Sequence, residues 1–238
     1  MLGTRLLEKE LLMNNDQPPT KKGSVTLPKT LSAHLVEHLR KRIITGEYLP
    51  GQALREQDIE RQFGSSRGPV RESLRMLLQS GLVEYAERRG FRVRTYTVAD
   101  VEHLYDLRAS LEGLCIASLT GKTLAKMVVD LHHSNQQMEA CFVAKDIEKY
   151  FAENQVFHDR IIVETGNRPI SEVMVYVNEV SLPVRYRVLR DTLVTRRSLT
   201  YHERIVDFLD RGDLSAARKE TEEHILVNKA AAAEIYQI

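Results

Sequence analysis

Arg67, Arg71 and Arg75 recur at a spacing of four in one segment, and Val70, Leu74, Leu77 and Leu78 recur on another face of it. A helix with these two stripes can dock on a core through one side and present planar cations on the other. The major groove of B-DNA admits one such helix, and its arginines can reach guanine edges or phosphates. The same row also describes a plain solvated face. A second group lies downstream, where Asn154 and His158, four apart, leave one helix face together. His202 and His224 fall in two later helical segments. Imidazoles in helices are metal ligands or hydrogen-bonded core residues, and spacing alone leaves both open. Arg108 completes the set: its fork suits a carboxylate ligand, or an i, i+4 pair with Glu112.

The elements that must position these groups fall into two patterns. Residues 1–27 carry Pro18, Pro19, Lys21, Lys22 and Gly23 and read as a polar, flexible tail. Leu35, Leu39, Ile43 and Ile44 then recur at helical spacing up to Gly46. A short helix over 56–63 turns its Ile59 and Phe63 inward, Gly64 allows a tight turn, and Ser65 or Ser66 can cap the arginine helix over 66–79. Gly81 ends that helix, and strands over 82–85 and 91–94 flank a turn at Arg88-Arg89-Gly90. Three helices and a hairpin, in that order, make a winged helix-turn-helix over residues 28–96. That order favours DNA contact for the arginines over the solvated face, with Gly90 letting a wing tip approach the minor groove. From residue 97 to 238 the pattern is helical throughout, in six segments over 98–119, 122–143, 146–165, 168–190, 195–211 and 213–236. Pro183 interrupts the fourth and should kink it. The expected class is mainly α: a winged helix-turn-helix followed by a six-helix antiparallel bundle.

Charge divides the same way. Residues 1–96 carry a balance of +6 and the remainder −5, giving the net +1 of the 238-residue chain. Only the first part is suited to a polyanion. No apolar run reaches the roughly 18–20 residues of a membrane span, and the leucines of the N-terminus are interrupted by charges, which points to a cytoplasmic protein without membrane partners. Cys115 and Cys141 have no CxxC partner and sit among apolar residues, as buried free thiols do. A metal-dependent enzyme built on the histidines would be expected to carry a recognisable catalytic motif. There is no HExxH, nucleophile elbow or glycine-rich phosphate loop. A ligand-independent architectural DNA protein is the other alternative.

The stretch LREQDIERQFGSSRGPVRESLRMLLQSGLVEYAERRGFRV closely resembles the DNA-binding domain of the GntR superfamily. Glu56, Gly64, Ser66, Arg67, Pro69-Val70-Arg71-Glu72, Leu74, Leu77, Gly81-Leu82-Val83 and Arg89-Gly90 match its pattern. Gly68 stands in place of a threonine, Ser65 in place of a valine, and Gln57 where some members have an arginine. The resemblance implies that Ser66, Arg67, Pro69, Arg71, Arg89 and Gly90 form the DNA-binding surface; Arg75 is added from periodicity.

The helical half resembles the FCD domain of the FadR-like branch. Leu104-Tyr105-Asp106-Leu107-Arg108 with Glu112, and Phe157-His158 with Gly166-Asn167, carry the likeness, and six helices suggest the VanR-like subgroup. In that family an aspartate, a histidine four residues on and two later histidines hold a divalent metal. The resemblance therefore implies a site of Asn154, His158, His202 and His224, with Asn154 replacing the aspartate. Three imidazoles suit zinc or nickel. It also implies that Arg108 faces the cavity and pairs with the carboxylate of an organic acid, so a small carboxylate or sugar acid is the expected effector. One recognition helix covers only a few base pairs, so a homodimer on a palindromic operator is expected.

Overall fold

The computed structural model describes residues 30–192 and 196–236; the expected tail over 1–27 lies outside the described residues. The DNA-binding half is α1 (Leu31–Thr45), α2 (Glu56–Phe63), α3 (Arg67–Gln79), β1 (Val83–Ala86) and β2 (Gly90–Val93). The strands pair antiparallel with Val83 opposite Val93 and Tyr85 opposite Phe91, whose rings meet edge-on at 5.1 Å. Leu35, Leu39, Ile59, Val70, Leu74 and Leu77 share one core with Leu82 and Phe91. Leu78, expected on that face, is 38% exposed, because Val70, Leu74 and Leu77 already fill it. Gly64 closes α2 in the left-handed region (φ 59°), which points α3 away from α2.

The helical half is α4 (Val98–Ala117), α5 (Gly121–Ala144), α6 (Ile147–Glu164), α7 (Arg168–Thr192), α8 (Arg197–Asp210), α9 (Leu214–Leu226) and α10 (Lys229–Ile235). Thr97 and Asp100 start α4 with a reciprocal capping box. One apolar core runs from Cys115 and Ile116 through Met127, Leu131, Phe157 and Met174 to Ile205 and Leu209. A smaller one joins Tyr105, Val184, Val188 and Ile225.

The segment expected as one helix over 213–236 is broken at Val227–Asn228. The Asn228 side chain donates to the His224 carbonyl at 2.9 Å, taking the acceptor that its own backbone N–H would use, while that N–H turns to Ile225. The described bundle therefore has seven helical pieces, and helix number no longer points to a subgroup. Pro183 does not end α7, which stays helical to Thr192. Its missing N–H leaves the Glu179 carbonyl without a helical donor.

Around that proline α7 meets the DNA-binding half. Arg40 of α1 grips Glu179 with two bonds of 2.6 and 2.8 Å, and the Tyr96 hydroxyl donates to the Val180 carbonyl at 2.6 Å. Ile44 of α1 packs into the large core of the bundle rather than that of its own domain. Gly81, at φ +80°, comes so close to α7 that an added Cβ would lie 2.6 Å from Val180 Cγ1.

Gly81→Ala is therefore expected to lower the unfolding free energy by about 2–4 kcal/mol, combining backbone strain with a forced shift of Val180. Gly46→Ala has a similar φ of +82° and open space around it, and should show only the strain, about 1–2 kcal/mol. Urea denaturation of the two variants checks this; equal losses would mean that the junction is not close-packed.

Candidate functional site

Three helices bring their histidines to one buried point. His158 comes from α6, whose start is capped by Asp146; His202 comes from α8 and His224 from the last turn of α9. One ligand atom from each lies within 4.8 Å of the others. Nε2 of His202 and Nε2 of His224 are 3.0 Å apart. Two imidazoles on one tetrahedral zinc stand roughly 3.3 Å apart, so this pair is already near chelating distance. Burial, and then the neighbouring imidazoles, push His202 and His224 well below the usual histidine range, so both are neutral at neutral pH, the form that ligates a metal. Nδ1 of His158 lies 2.7 Å from Glu112 Oε2, a carboxylate contact that orients the ring and leaves Nε2 for a ligand. The donor set fits a divalent transition metal.

Asn154 sits at the edge of the triad, and its amide orientation is fixed by chemistry. Arg185 Nη2 lies 3.1 Å from one of its amide atoms. Arginine has no acceptor, so that atom is the oxygen. The amide nitrogen is left 3.5 Å from His202 Nε2. Asn154 thus turns N–H toward the histidines and its carbonyl toward a guanidinium.

Arg108 is buried, and its Nη2 meets Glu112 Oε1 at 2.6 Å. The i, i+4 pair and the cavity position are both present, since Arg108 also lines a cavity of about 50 Å³ with Asn154, His158, Arg185, Ser198 and His224. Burial disfavours the Glu112 anion. The contact with the His158 ring and the Arg108 and Arg185 guanidiniums outweigh it and hold the carboxyl well below the usual range. Arg185 itself went unnoticed in the sequence. In RYRVLR it is one arginine of three, yet Ser181, Val184, Val188 and Leu189 mark the buried face of α7, and Arg185 falls on it. Burial and the nearby Arg108 lower its pKa to about 10.

The DNA-binding half carries a second concave surface, about 740 Å³, lined by Arg55, Arg67, Arg71, Arg75, Arg88, Arg89 and Arg92 with Glu56 as its one acid. Gly90 lies in the same rim. Glu56 holds Arg67 at 3.0 Å and Arg71 at 3.3 Å through different oxygens. Ser66 is the N-cap of α3 and exposed, but its hydroxyl makes no capping bond, so it faces outward beside free first-turn N–H groups. Pro69 lies in that first turn, where its missing N–H costs nothing. Leu78, displaced from the core, lines this surface too. His132, His133, His34 and His103 are exposed. Cys115 is buried, Cys141 half-buried, and both are free.

Residues 103–226 match the FCD domain family, and residues 31–93 match the bacterial regulatory proteins of the gntR family. The chain is 27% identical over 194 residues to an uncharacterised HTH-type transcriptional regulator, YdhC of Bacillus subtilis, covering 80% of this chain and 84% of that one. It is 22% identical over 196 residues to the HTH-type transcriptional repressor GlaR of Escherichia coli, with 79% and 89% covered. A crystal structure of a GntR transcriptional regulator from Rhodococcus sp. RHA1 superposes with a TM-score of 0.72 at 23% identity, over 87% of this chain and 99% of that one.

Removing the shared carboxylate should be costly. Glu112→Gln leaves Arg108 buried without a counter-charge, with an expected loss of about 3–5 kcal/mol. Glu172, in an exposed pair with Arg168, is the control, and Glu172→Gln should cost less than about 1 kcal/mol. Because the native Glu112 carboxyl is depressed, its stabilisation is complete above about pH 4.3 and is lost only as pH falls toward its native pKa. Urea melts at pH 7 and in acid check both statements.

Proposed function

Given that this chain belongs to the GntR family of bacterial transcriptional regulators, as a member carrying an FCD domain, we propose that it is a cytoplasmic repressor whose grip on DNA is set by a small acid bound in the helical bundle. The observation that carries this reading is the course of α7. Its first half clamps the DNA-binding half through Glu179 and Val180, and its second half puts Arg185 into the cationic cavity. Among the described residues no helix is long and apolar enough to cross a membrane.

Arg67, Arg71 and Arg75 on α3 read the major groove, Ser66 and the open first turn meet a phosphate, and Arg89 with Gly90 enters the minor groove. Glu56 pre-orients two of the reading arginines. One such helix covers only a few base pairs, so the protein acts as a homodimer on a palindromic operator. In the bundle, Arg108 offers its fork to the carboxylate of a small organic or sugar acid. His158, His202 and His224 hold a divalent metal, zinc or nickel by the chemistry of three imidazoles. When bound, the metal supplies a Lewis-acidic centre for the acid's oxygens. Glu112 fixes the His158 ring, and Asn154 stands beside the triad. An acid that engages Arg108 and Arg185 differently in two tilts of α7 shifts the balance between them, and with it the placing of α3.

Fluorescence anisotropy with a selected operator tests this directly. Arg67→Ala and Arg71→Ala should each weaken operator binding by about 1–3 kcal/mol, or flatten the salt dependence by about one phosphate's worth. Operator affinity that no acid changes, with or without zinc, would leave an architectural DNA binder instead. Light scattering at micromolar concentration should give a dimer of the 238-residue chain; a monomer that binds its operator as one unit would overturn the symmetric reading.

A further inference from the structure

We infer that Arg185, anchored by Asn154, is the principal anion-binding residue of the bundle cavity, that it takes the carboxylate of a short acid of two to four carbons, and that it does so without a metal ion. This rests on the effector reading above and adds the residue, the ligand size and the independence from metal.

The first support is the count of charges. Among the described residues the cavity walls carry two buried guanidiniums, Arg108 and Arg185, and no carboxylate; the buried Glu112 lies behind them. Glu112 is already divided between Arg108 at 2.6 Å and His158 at 2.7 Å. Among the described residues no carboxylate lies within ion-pair distance of Arg185. Its described contacts are the neutral Asn154 oxygen at 3.1 Å and the ring of Phe151, 6.0 Å away. Glu112 and Asp159 act on it only across a longer distance; a buried cation with no carboxylate in contact is costly to keep, and a carboxylate entering the cavity relieves that cost through two parallel N–H bonds.

The second support is the direction of Asn154. An aspartate at this position would bring a charged oxygen to both the histidines and Arg185. Here the oxygen faces Arg185, and the amide N–H group faces the histidines. A neutral amide holds a guanidinium in place without quenching its charge, as an aspartate would. Asn154 and Arg185 therefore work together as a fixed cationic centre built from protein alone.

The third support is size. The cavity's free space is about 50 Å³, several times the roughly 10–15 Å³ that one water needs, which suits a carboxylate on a short chain. A six-carbon sugar acid exceeds it.

The test uses the full-length protein stripped of metal with a chelator, titrated by calorimetry with lactate and with gluconate. Lactate should bind the stripped protein, and gluconate at least ten-fold more weakly. Arg185→Gln should weaken lactate ten-fold or more while zinc affinity, measured separately, is not reduced. Arg185→Lys, which keeps the charge and loses the fork, should fall between; it also serves if the glutamine variant does not fold. Lactate binding that appears only after zinc is added, gluconate that binds as tightly as lactate, or an Arg185→Gln protein that binds like wild type would each overturn the inference while leaving an acid-responsive regulator intact. If neither acid binds wild type, stripped or zinc-loaded, and the operator ignores both, the effector reading falls and takes this inference with it.

Discussion

Burying a carboxylate in a helical core costs several kcal/mol unless a cation and hydrogen-bond donors hold it closely, and Glu112 is held on two sides. Its two oxygens divide between Arg108 and His158, which come from the same helix and from α6. That division sets the rest of the bundle's chemistry. It ties α4 to α6 at the depth where α8 and α9 deliver the other histidines. It fixes the His158 ring, so that the triad has a defined shape. It also occupies both oxygens of Glu112, so the second guanidinium, from α7, enters the cavity with no described carboxylate in contact. A core with one more acid would be quieter and would have no reason to accept an anion.

Signal transfer needs no long chain of contacts, because α7 belongs to both halves. Between Glu179, held by Arg40, and Arg185, held by Asn154, lie fewer than two helical turns, and Pro183 stands among them. A helix that lacks one internal hydrogen bond bends there at lower cost than elsewhere. The clamp itself is partly open to water: the Arg40 side chain is 37% exposed and that of Glu179 18%. Polar contacts in such a setting are worth little individually. A ligand whose affinity differs between two tilts by about 1.4 kcal/mol already changes their ratio ten-fold.

Much of this was legible in the residues. The arginine helix declared itself because its apolar and charged stripes sit on different faces, and Gly64 and Gly81 mark its ends. The histidines declared themselves through spacing and family pattern. Other features resisted. Leu78 keeps helical phase with Leu74, yet the facing elements fill before they reach it, and phase carries no information about how wide the core is. The break at Asn228 depends on an amide finding the His224 carbonyl, in a stretch of alanines that reads as pure helix. Arg185 is hidden among arginines, and only the apolar residues of the same face distinguish it. Asn154 was noticed as a departure, but its orientation is set by Arg185, a partner 31 residues away that spacing could not supply.

Ile44 and Gly81 have a consequence for how such chains recombine. Read as text, the protein is two modules joined near Tyr96, ready to be exchanged. Packed, it is not: Ile44 belongs to the first module in order and to the second in contact, and Gly81 is small because Val180 occupies the space its side chain would need. A DNA-binding module brought in from a relative must carry an apolar residue at the first position and no side chain at the second. Where it does not, the graft will hold two intact domains that have lost their common helix, binding operator and acid as separate events. The boundary at which evolution can cut this chain is therefore a matched pair of surfaces, not a point in the sequence.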